Sequence, residues 1–299
     1  MSLPVVSVIC ICFNHEAFVQ RAINSVLNQT YKNIELIVIN NASSDNSHNV
    51  ITEITDKNPS IKYIKFTEPV SSTKAFNYGF KQCKGTYLID LSADDVLLND
   101  CIEKQVNFFA QQNDNTGLIF GNAYHINENG TRTKPYFKVD EQNKVTDLLL
   151  HKTNYLRLLS TGIVMCSVAS MFTRKHFELF KGYNEELFFE DLDYWLRLSR
   201  LYKIKFLDDF LVEKRFLENS LGNQFHKNDE FSRKINKSLR QIYNESIVRN
   251  TSKTENKALL KRIHYSMQQS FKNSQWTEFL KFSMVELKCR IRLFFFNIL

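Results

Sequence analysis

The sequence predicts an α/β fold with a mostly parallel, doubly wound sheet that is flanked by helices and followed by a helical C-terminal extension. Over the first 110 residues, short apolar runs alternate with segments whose apolar residues recur at helical spacing. Helices that connect parallel strands cover both faces of a sheet, so this alternation is typical of doubly wound folds. The apolar runs end in polar clusters, and open α/β sheets bind ligands at that end of their strands.

Four short apolar runs are predicted to form the parallel strands. They are Val5 to Cys12, Ile34 to Ile39, Ile61 to Phe66 and Tyr87 to Leu91. Ala22, Ile23 and Val26 recur on one face of the first connecting helix. The helix before the fourth strand is marked by Ala75, Phe76, Phe80 and Cys83. Another helix, Cys101 to Ala110, is predicted after the fourth strand.

Polar clusters follow three of these predicted strands and should meet at one edge of the sheet. Phe13-Asn14 follows the first strand, Asn40-Asn41 the second and Asp94-Asp95 the fourth. Adjacent carboxylates at a strand end can hold a hard divalent cation, which prefers oxygen ligands and bridges to phosphate oxygens. An alternative is that Asp94, Asp95 or Asp100 caps the following helix.

Together these clusters have the chemistry to hold a nucleotide that carries a pyrophosphate. Phe13 can pack against the base, Asn41 can satisfy its polar edge, and Lys74 can approach phosphate, while the aspartates bind the metal that neutralises the diphosphate. The sequence contains neither GxGxxG nor GxxxxGK[ST], which excludes the two common phosphate-cradling loops. Each residue also has a structural alternative: a core position for Phe13, a polar turn for Asn40-Asn41 and a solvated helix position for Lys74.

Composition restricts the class of protein. With 43% hydrophobic and 13% aromatic residues among 299, the chain can bury a large core and is not disordered. The six cysteines are scattered and form no CxxC pair, which favours small buried residues in a reducing cytosol over disulfides or a zinc site. No basic stretch at the N-terminus precedes a long apolar run, and no stretch of about eighteen apolar residues occurs, so neither secretion nor a spanning helix is expected.

The positive charge is concentrated near the C-terminus. Residues 226–299 contain 15 Lys/Arg and 6 Asp/Glu, and this region shows helical spacing and ends in the aromatic segment Ile291 to Phe296. Such a segment suits an interfacial helix on anionic lipid, although the same face can dock on the main domain or on a second subunit in a homo-oligomer. Nucleic-acid binding is not expected, because no zinc-finger, RNP-like or helix-turn-helix pattern accompanies the charge.

Three ordered blocks resemble successive motifs of the family 2 inverting glycosyltransferases, which have the Rossmann-like GT-A fold. The blocks are Val6 to Asn14, Ala22 to Asp45 and Lys84 to Asp95. The resemblance implies sugar transfer to a hydroxyl from a nucleotide-diphosphate donor, usually a UDP-sugar, with Mn²⁺ or Mg²⁺. It implies a nucleotide-binding set of Ile11, Phe13, Asn14, Asn41, Lys74 and Asp94, with Asp94 and Asp95 at the metal.

A fourth block, Gly182 to Glu185 followed by Phe189 to Leu198, resembles the family segment in which a Glu-Asp pair opens a helix. The resemblance implies that Asp191, beside Glu190, is the catalytic base. An inverting displacement needs a carboxylate that takes the acceptor proton. The alternative is that both acidic residues only complement the helix macrodipole.

The chain departs from the family pattern at three places. Asn40-Asn41 stands where Asp-Asp is common, and Ser92 replaces the first Asp of Asp-x-Asp-Asp. The His that often follows the segment at Lys214-Arg215 is missing, with Leu217 near its place, and His226 is a substitute candidate. These changes leave metal binding as a hypothesis and make a nucleotide-sugar-binding protein without transferase activity the alternative function.

We predict a catalytic domain over residues 1–220 and a basic, aromatic, helical region over 221–299. Residues 110 to 180 are expected to hold the acceptor side, with strands over Thr116 to Asn122 and Thr161 to Phe172 and a flexible loop over Asn127 to Asn143. The predicted function is a cytoplasmic transferase, peripheral on the inner face of the cell membrane, that extends a surface glycan on a glycan or lipid-linked acceptor.

Overall fold

A computed structural model describes residues 3–162, 165–189, 191–217 and 229–296. The chain divides into two compact units. The first comprises Met1–Thr153, Met165–Glu185 and Leu201–Leu217, and the second comprises Asn154–Val164, Glu186–Arg200 and Glu218–Leu299. The predicted boundary near residue 220 lies outside the described residues, and two helices that precede it group with the C-terminal helices in the second unit.

Among the residues that the structure describes, the first unit is built on one nine-stranded sheet. Its strands are β1 (Val6–Cys12), β2 (Ile34–Asn40), β3 (Lys62–Lys65), β4 (Tyr87–Ser92), β5 (Val96–Leu97), β6 (Thr116–Ile126), β7 (Arg132–Pro135), β8 (Ser170–Thr173) and β9 (Lys203–Arg215). The strand order is β3-β2-β1-β4-β8-β6-β9-β5, with β7 paired to β6. The strands β1 to β4 are parallel to their neighbours in this group, as are β6 and β9, which confirms the predicted mostly parallel sheet.

In the first unit, helices pack on the sheet through apolar faces. In chain order, the α-helices of the described residues are α1 (Val19–Leu27), α2 (Ser47–Lys57), α3 (Ser72–Phe80), α4 (Cys101–Ala110), α5 (Tyr155–Thr161), α6 (Arg174–Leu179), α7 (Asp191–Ser199), α8 (Glu230–Arg249), α9 (Lys253–Lys272) and α10 (Trp276–Phe295). Ala22, Ile23 and Val26 of α1 are buried. On α3, a Cβ at Gly79 would lie 2.8 Å from Ile9 Cγ2, so glycine permits this helix to approach β1 closely.

Two predictions for residues 110 to 180 are wrong in part. The stretch Asn127 to Asn143 contains β7, which forms a hairpin with β6, instead of an unstructured loop. The stretch Thr161 to Phe172 is not one strand, because Thr161 ends α5 and a 3₁₀ helix, Ser167–Ala169, precedes the short β8. Gly162 follows α5 at φ +75°, a conformation that stops a helix, and a buried apolar run does not by itself distinguish strand from turn.

Where the structure describes it, the second unit is helical and includes α5, α7 and α8 to α10. Ser252 is the N-cap of α9 and forms a capping box. Its Oγ accepts a hydrogen bond from Glu255 N, and the Glu255 side chain accepts one from Ser252 N. Tyr155 donates to Asn250 Oδ1 at 2.7 Å, and Asn250 donates to Asn256 Oδ1 at 3.0 Å, so buried polar groups hold α5 to the turn before α9. In the part of the chain that the structure describes, no helix is both long enough and apolar enough to cross a bilayer. All six cysteines are buried free thiols, as predicted.

Candidate functional site

Strand register brings the three polar clusters together at the carboxyl edge of the sheet. Cys12 pairs with Asn40 across β1 and β2, and Ile11 pairs with Ser92 across β1 and β4. Two backbone bonds continue this register past the strand ends: Asn41 N donates to Cys12 O at 2.8 Å, and Ala93 N donates to Ile11 O at 3.0 Å. The loops that begin after these strands are therefore neighbours, as the sequence predicts.

The loop after β1 presents Phe13 to solvent. Asn14 adopts φ +55°, and its Oδ1 accepts a hydrogen bond from Ser44 N at 2.8 Å while its own N–H donates to Ser43 Oγ at 3.0 Å. These bonds fix the first loop to the second. Phe13 is 46% exposed, which excludes the core position that was its structural alternative. Ile11 lies within β1 and is half-buried.

The amide of Asn41 holds the backbone of the segment that precedes α3. Its nitrogen donates to Val70 O at 2.8 Å, and its oxygen accepts from Val70 N at 3.0 Å. A carboxylate at this position would lose the donated bond, which gives the Asn-for-Asp departure a structural reason. The neighbouring Asn40 is fully buried, and its Oδ1 accepts from Ser43 N at 2.9 Å.

Lys74 lies in the first turn of α3, the helix that follows this segment. Its side chain is exposed, and its backbone N–H is capped by Ser71 Oγ at 3.3 Å. The cap positions the helix N-terminus, where backbone N–H groups and the macrodipole favour an anion. The assignment of Lys74 to a phosphate remains a prediction.

Asp94 is half-buried at the end of β4 and is held by its neighbours. The Ser92 hydroxyl donates to Asp94 Oδ1, so the serine that replaces one carboxylate of the family pattern orients one of the two that remain. His15 Nδ1 lies 3.9 Å from the same oxygen. This ring nitrogen is buried and has no hydrogen-bond partner among the residues that the structure describes. Neither Asp94 nor Asp95 caps α4, because β5 intervenes, and Asp100 at the N-cap makes no side-chain cap bond.

Asp95 faces the interior. It is 3% exposed, and its Oδ1 accepts a hydrogen bond from Arg215 N at 2.7 Å. Burial raises the pKa of the Asp95 carboxyl to about 8; the negative charge of Asp94 adds to the rise, and the Lys214 ammonium opposes it. The two aspartates therefore differ in role, since Asp94 borders the edge of the sheet and Asp95 anchors the turn.

Arg215, like His15, lies at this edge but is not among the site residues predicted from the sequence. Its Nε donates to Asp94 O at 3.0 Å, and its Nη1 donates to the carbonyl oxygens of Asn127 and Glu128 at 2.6 and 2.7 Å. Its guanidinium also lies 4.3 Å from the centre of the Phe18 ring. Arg215 thus joins the Asp94-Asp95 turn to the loop between β6 and β7. The basic pair Lys214-Arg215 at the end of β9 is the sequence feature that could have indicated this role.

We expect Arg215→Ala to lower the free energy of unfolding by about 3 kcal/mol, because three backbone carbonyl groups lose a charged donor in a buried place. The measurement is urea denaturation followed by circular dichroism. Arg132→Ala is the matched control: Arg132 is half-exposed and pairs with Glu213 at 2.8 Å, so about 1 kcal/mol or less is expected. Equal losses in the two variants would contradict the anchoring role of Arg215.

The edge fits a divalent cation that takes only part of its coordination from protein. Within the described ranges, no three His, Cys, Asp or Glu side chains are grouped to hold a metal ion. Mg²⁺ commonly uses one or two carboxylates together with substrate phosphates and water, so a complete protein cage is not required. Asp94 offers a carboxylate at the edge, and the unpartnered His15 nitrogen offers a second donor atom. The Asp95 carboxylate already accepts a hydrogen bond from the backbone N–H of Arg215.

Asp191 and Asp193 both lie in the first turn of α7, in the second unit. Asp191 is half-buried, and its Oδ1 accepts from Leu192 N at 2.6 Å. Asp193 is almost fully buried and pairs with Arg197 at 2.8 Å and with Arg249 at 3.6 Å. Asp193 therefore forms ion pairs both within α7 and with α8. Glu190 and His226 lie outside the described residues.

The block Gly182 to Glu185 is fixed by Asn77 of α3. Asn77 Nδ2 donates to Tyr183 O at 2.9 Å and to Glu185 Oε1 at 3.0 Å, and Tyr183 N donates to Asn77 Oδ1 at 3.0 Å. Gly182 adopts φ +74°, and a Cβ there would lie 2.6 Å from Asn77 Oδ1. The glycine of this block is therefore required by local backbone conformation and by close contact.

Solved structures of glycosyltransferases share this fold. The chain superposes on S. aureus TarS 1-349 in complex with UDP-GlcNAc with a TM-score of 0.68 and 15% identity, over 93% of this chain and 79% of that one. It superposes on the mannosyltransferase PcManGT from Pyrobaculum calidifontis, in complex with GDP-Man and Mn²⁺, with a TM-score of 0.59 and 12% identity, over 98% and 88% of the two chains. These likenesses confirm the predicted GT-A fold.

Comparison with related sequences identifies the family of this chain. The chain is 34% identical over 216 residues to an uncharacterized glycosyltransferase of Rickettsia felis. The aligned stretch covers 71% of this chain but only about a third (34%) of that protein. It is 26% identical over 303 residues to an uncharacterized glycosyltransferase of Haemophilus influenzae, covering 95% and 92% of the two. The model of the family described as Glycosyl transferase family 2 matches residues 7–180, which include Asp94 and Asp95 and end before Asp191. The chain therefore belongs to glycosyl transferase family 2.

Proposed function

We propose that this protein transfers a sugar from a nucleotide-diphosphate donor, namely a UDP-sugar, to a hydroxyl of a glycan or lipid-linked glycan, with inversion at the anomeric carbon. The observation that carries the proposal is the meeting of Phe13, Asn41 and Asp94 at one edge of the sheet in a family 2 chain. Solved proteins of the same fold bind UDP-GlcNAc, and GDP-Man with Mn²⁺, which supports a nucleotide-sugar as donor.

The donor's base would pack on the exposed ring of Phe13, beside the loops that Asn14 and Asn41 hold together. Ile11, near the end of β1, would contact the base as well. Because the Asn41 amide already bonds Val70, we propose that it acts on the base mainly by positioning the segment before α3. Lys74, in the first turn of that helix, would neutralise part of the diphosphate charge.

Asp94 and His15 would hold Mn²⁺ or Mg²⁺, with Asp95 fixing the turn that carries Asp94. The cation would neutralise the negative charge that develops on the diphosphate as it departs. The missing His after Arg215 is then replaced from the first loop, since His15 Nδ1 lies 3.9 Å from Asp94 Oδ1. The departures from the family pattern are in this way compatible with a working site.

Asp191 would act as the base. Its carboxylate takes the proton of the acceptor hydroxyl while the hydroxyl oxygen forms a bond to the anomeric carbon and the bond from that carbon to the diphosphate oxygen breaks. The electron pair of the broken bond leaves with the nucleoside diphosphate. Attack on the side opposite the leaving group inverts the configuration. Glu190, beside it, would add negative charge that favours proton uptake.

The acceptor would be a glycan under assembly. We propose a hexosyl- or N-acetylhexosaminyl-transferase of surface polysaccharide biosynthesis, such as lipopolysaccharide or capsule, that works in the cytoplasm on the inner face of the cell membrane. Free buried thiols agree with a reducing compartment.

The test is a donor screen by ligand-observed NMR with Mn²⁺ present, followed by release of nucleoside diphosphate with candidate acceptors. Binding of one nucleotide-sugar together with turnover supports the transferase. Binding without turnover toward every acceptor, including water, would instead support a nucleotide-sugar-binding protein. No binding of any nucleotide-sugar would refute both functions.

We expect Phe13→Ala to weaken UDP binding by about 1–3 kcal/mol, the usual loss when a base loses its aromatic partner. Isothermal titration calorimetry with UDP and Mn²⁺ measures the change. Leu179→Ala is the control, because Leu179 is also an exposed apolar side chain (56%) but lies at the end of α6. Unchanged UDP affinity in the Phe13 variant would contradict base packing on this ring.

A further inference from the structure

The last helix of the second unit carries an apolar stripe on its outer side. We define the exposed stripe by the following members of α10: Trp276, Leu280, Met284, Leu287, Ile291, Phe294 and Phe295. These side chains are between 49% and 63% exposed. Their spacing of three or four residues places them within an arc of about 100° on the helix, at 3.6 residues per turn. The stripe is therefore a continuous surface and not a set of scattered exposed residues.

A separate face of the same helix holds it in the fold. Phe282, Val285 and Cys289 are buried, and the Phe282 ring lies 6.0 Å from the ring of Tyr243 in α8. This buried face lies on the other side of the helix from the exposed stripe. A surface helix needs only one apolar face for its own domain, so folding of the second unit does not account for the exposed stripe.

Cations border the exposed stripe, and the helix's carboxylates lie away from it. Lys281, Lys288 and Arg292 flank one edge and Arg290 flanks the other, and all four are exposed. Glu278 is buried and pairs with Arg240 and Lys281. Glu286 pairs with His264 at 2.8 Å and with Arg290 at 2.7 Å. The stripe is thus bordered by Lys288 and Arg292 together with the ion-paired Lys281 on one edge and by the ion-paired Arg290 on the other.

We propose that the exposed stripe is the surface by which this protein lies on an anionic bilayer, with α10 parallel to the membrane plane. The helix has 20 residues, a length of about 30 Å, and its charged residues keep it from being a spanning segment. Apolar side chains enter the boundary between head groups and acyl chains while the flanking cations contact anionic head groups. Phe271 extends this surface, because its ring lies 5.1 Å from that of Trp276.

Charge favours a bilayer over a second copy of the chain as the occupant. Residues 226–299 hold 15 Lys/Arg and 6 Asp/Glu, so two copies that met through this face would bring positive regions together. An anionic lipid surface supplies the opposite charge. The inference rests on the proposed function only for the choice of membrane, the inner face of the cell membrane, and lipid binding can be tested without any activity.

The test is flotation of the full chain with vesicles of phosphatidylcholine containing 30% phosphatidylglycerol, compared with phosphatidylcholine alone. The wild type should float with the anionic vesicles and at least tenfold less with the neutral ones. Leu280→Gln/Met284→Gln/Leu287→Gln should lose at least tenfold in bound fraction. Leu148→Gln/Leu149→Gln/Leu201→Gln, at similarly exposed positions (57% to 70%) in the first unit, should float as the wild type does.

Trp276 gives a direct optical reading. The chain has two tryptophans, and Trp195 is buried, so a blue shift of emission on anionic vesicles reports insertion of Trp276. Trp276→Phe should keep flotation and lose the shift. Equal flotation with neutral vesicles, or wild-type flotation by the stripe variant, overturns the proposal. So does a wild-type dimer in analytical ultracentrifugation that becomes monomeric in the stripe variant, which would assign the face to a second copy.

Discussion

Replacing Asp94 with Asn is expected to lower sugar transfer by about 10²- to 10³-fold, the usual cost of removing one group that stabilises developing charge. The carboxylate lies at the carboxyl edge of the sheet, oriented by Ser92 and 3.9 Å from His15 Nδ1. An amide keeps the shape and the hydrogen bond from Ser92 but removes the negative charge that a hard cation needs. Loss of Mn²⁺ affinity in the presence of UDP should accompany the loss of transfer.

The measurements are nucleoside diphosphate release and electron paramagnetic resonance of free Mn²⁺ in the presence of UDP. Asp114→Asn is the matched control, because that carboxylate is fully exposed and should change neither value. His15→Gln should weaken Mn²⁺ binding by a smaller factor, since it removes the second donor and leaves the charge. If Asp94→Asn retained both metal affinity and transfer, the cation would have to be held elsewhere or be dispensable.

Replacing Asp191 with Asn is expected to lower transfer by about 10²- to 10⁴-fold, the range for loss of a positioned general base. Donor affinity and the free energy of unfolding should stay near the wild-type values, because Asp191 is half-buried and lies at the start of α7. The readouts are single-turnover transfer, calorimetry with the donor and urea denaturation. Full activity in this variant would refute the role of Asp191 as base.

Asp193 supplies the contrasting variant from the same helical turn. Asp193→Asn removes the buried carboxylate charge that pairs with Arg197 and Arg249, so we expect the free energy of unfolding to fall by about 3–5 kcal/mol. The folded fraction should retain most of its transfer rate. The two aspartates are two positions apart, and opposite outcomes for stability and chemistry would separate their roles. If instead Asp193→Asn lost transfer and kept its stability, the assignment of the base would move to position 193.

The sequence predicted the sheet well because the signal is local. The strands predicted over Val5 to Cys12 and Ile34 to Ile39 differ from β1 and β2 by one residue at one end, and the predicted helix Cys101 to Ala110 has the bounds of α4. Hydrophobic periodicity is set by neighbouring residues, and parallel strands deliver their carboxyl ends to one edge. The meeting of Phe13, Asn41 and Asp94 follows from these two facts.

Other features of the structure depend on contacts between residues that are far apart in the sequence. In place of the single strand predicted over Thr161 to Phe172, the described residues contain the end of α5, a 3₁₀ helix and the start of the short β8. The hydrogen bond from Arg215 to Asp95 joins residues 120 positions apart, and the bonds between Asn41 and Val70 span 29. Neither hydrophobic periodicity nor a sequence motif predicts such hydrogen-bonded pairs, because strand order and loop packing determine which residues meet.

What the sequence by itself determined about this protein was its alternation of strands and helices, the family of its motifs and the edge at which its polar residues collect. Only the tertiary structure decided that Asp94 borders that edge while Asp95 is buried beside Arg215, that Asp193 pairs with Arg197 and Arg249, and that the stripe of α10 is exposed. The physical reason is that periodicity is a property of consecutive residues, whereas the burial of a charge or an apolar face depends on which distant segments pack against it.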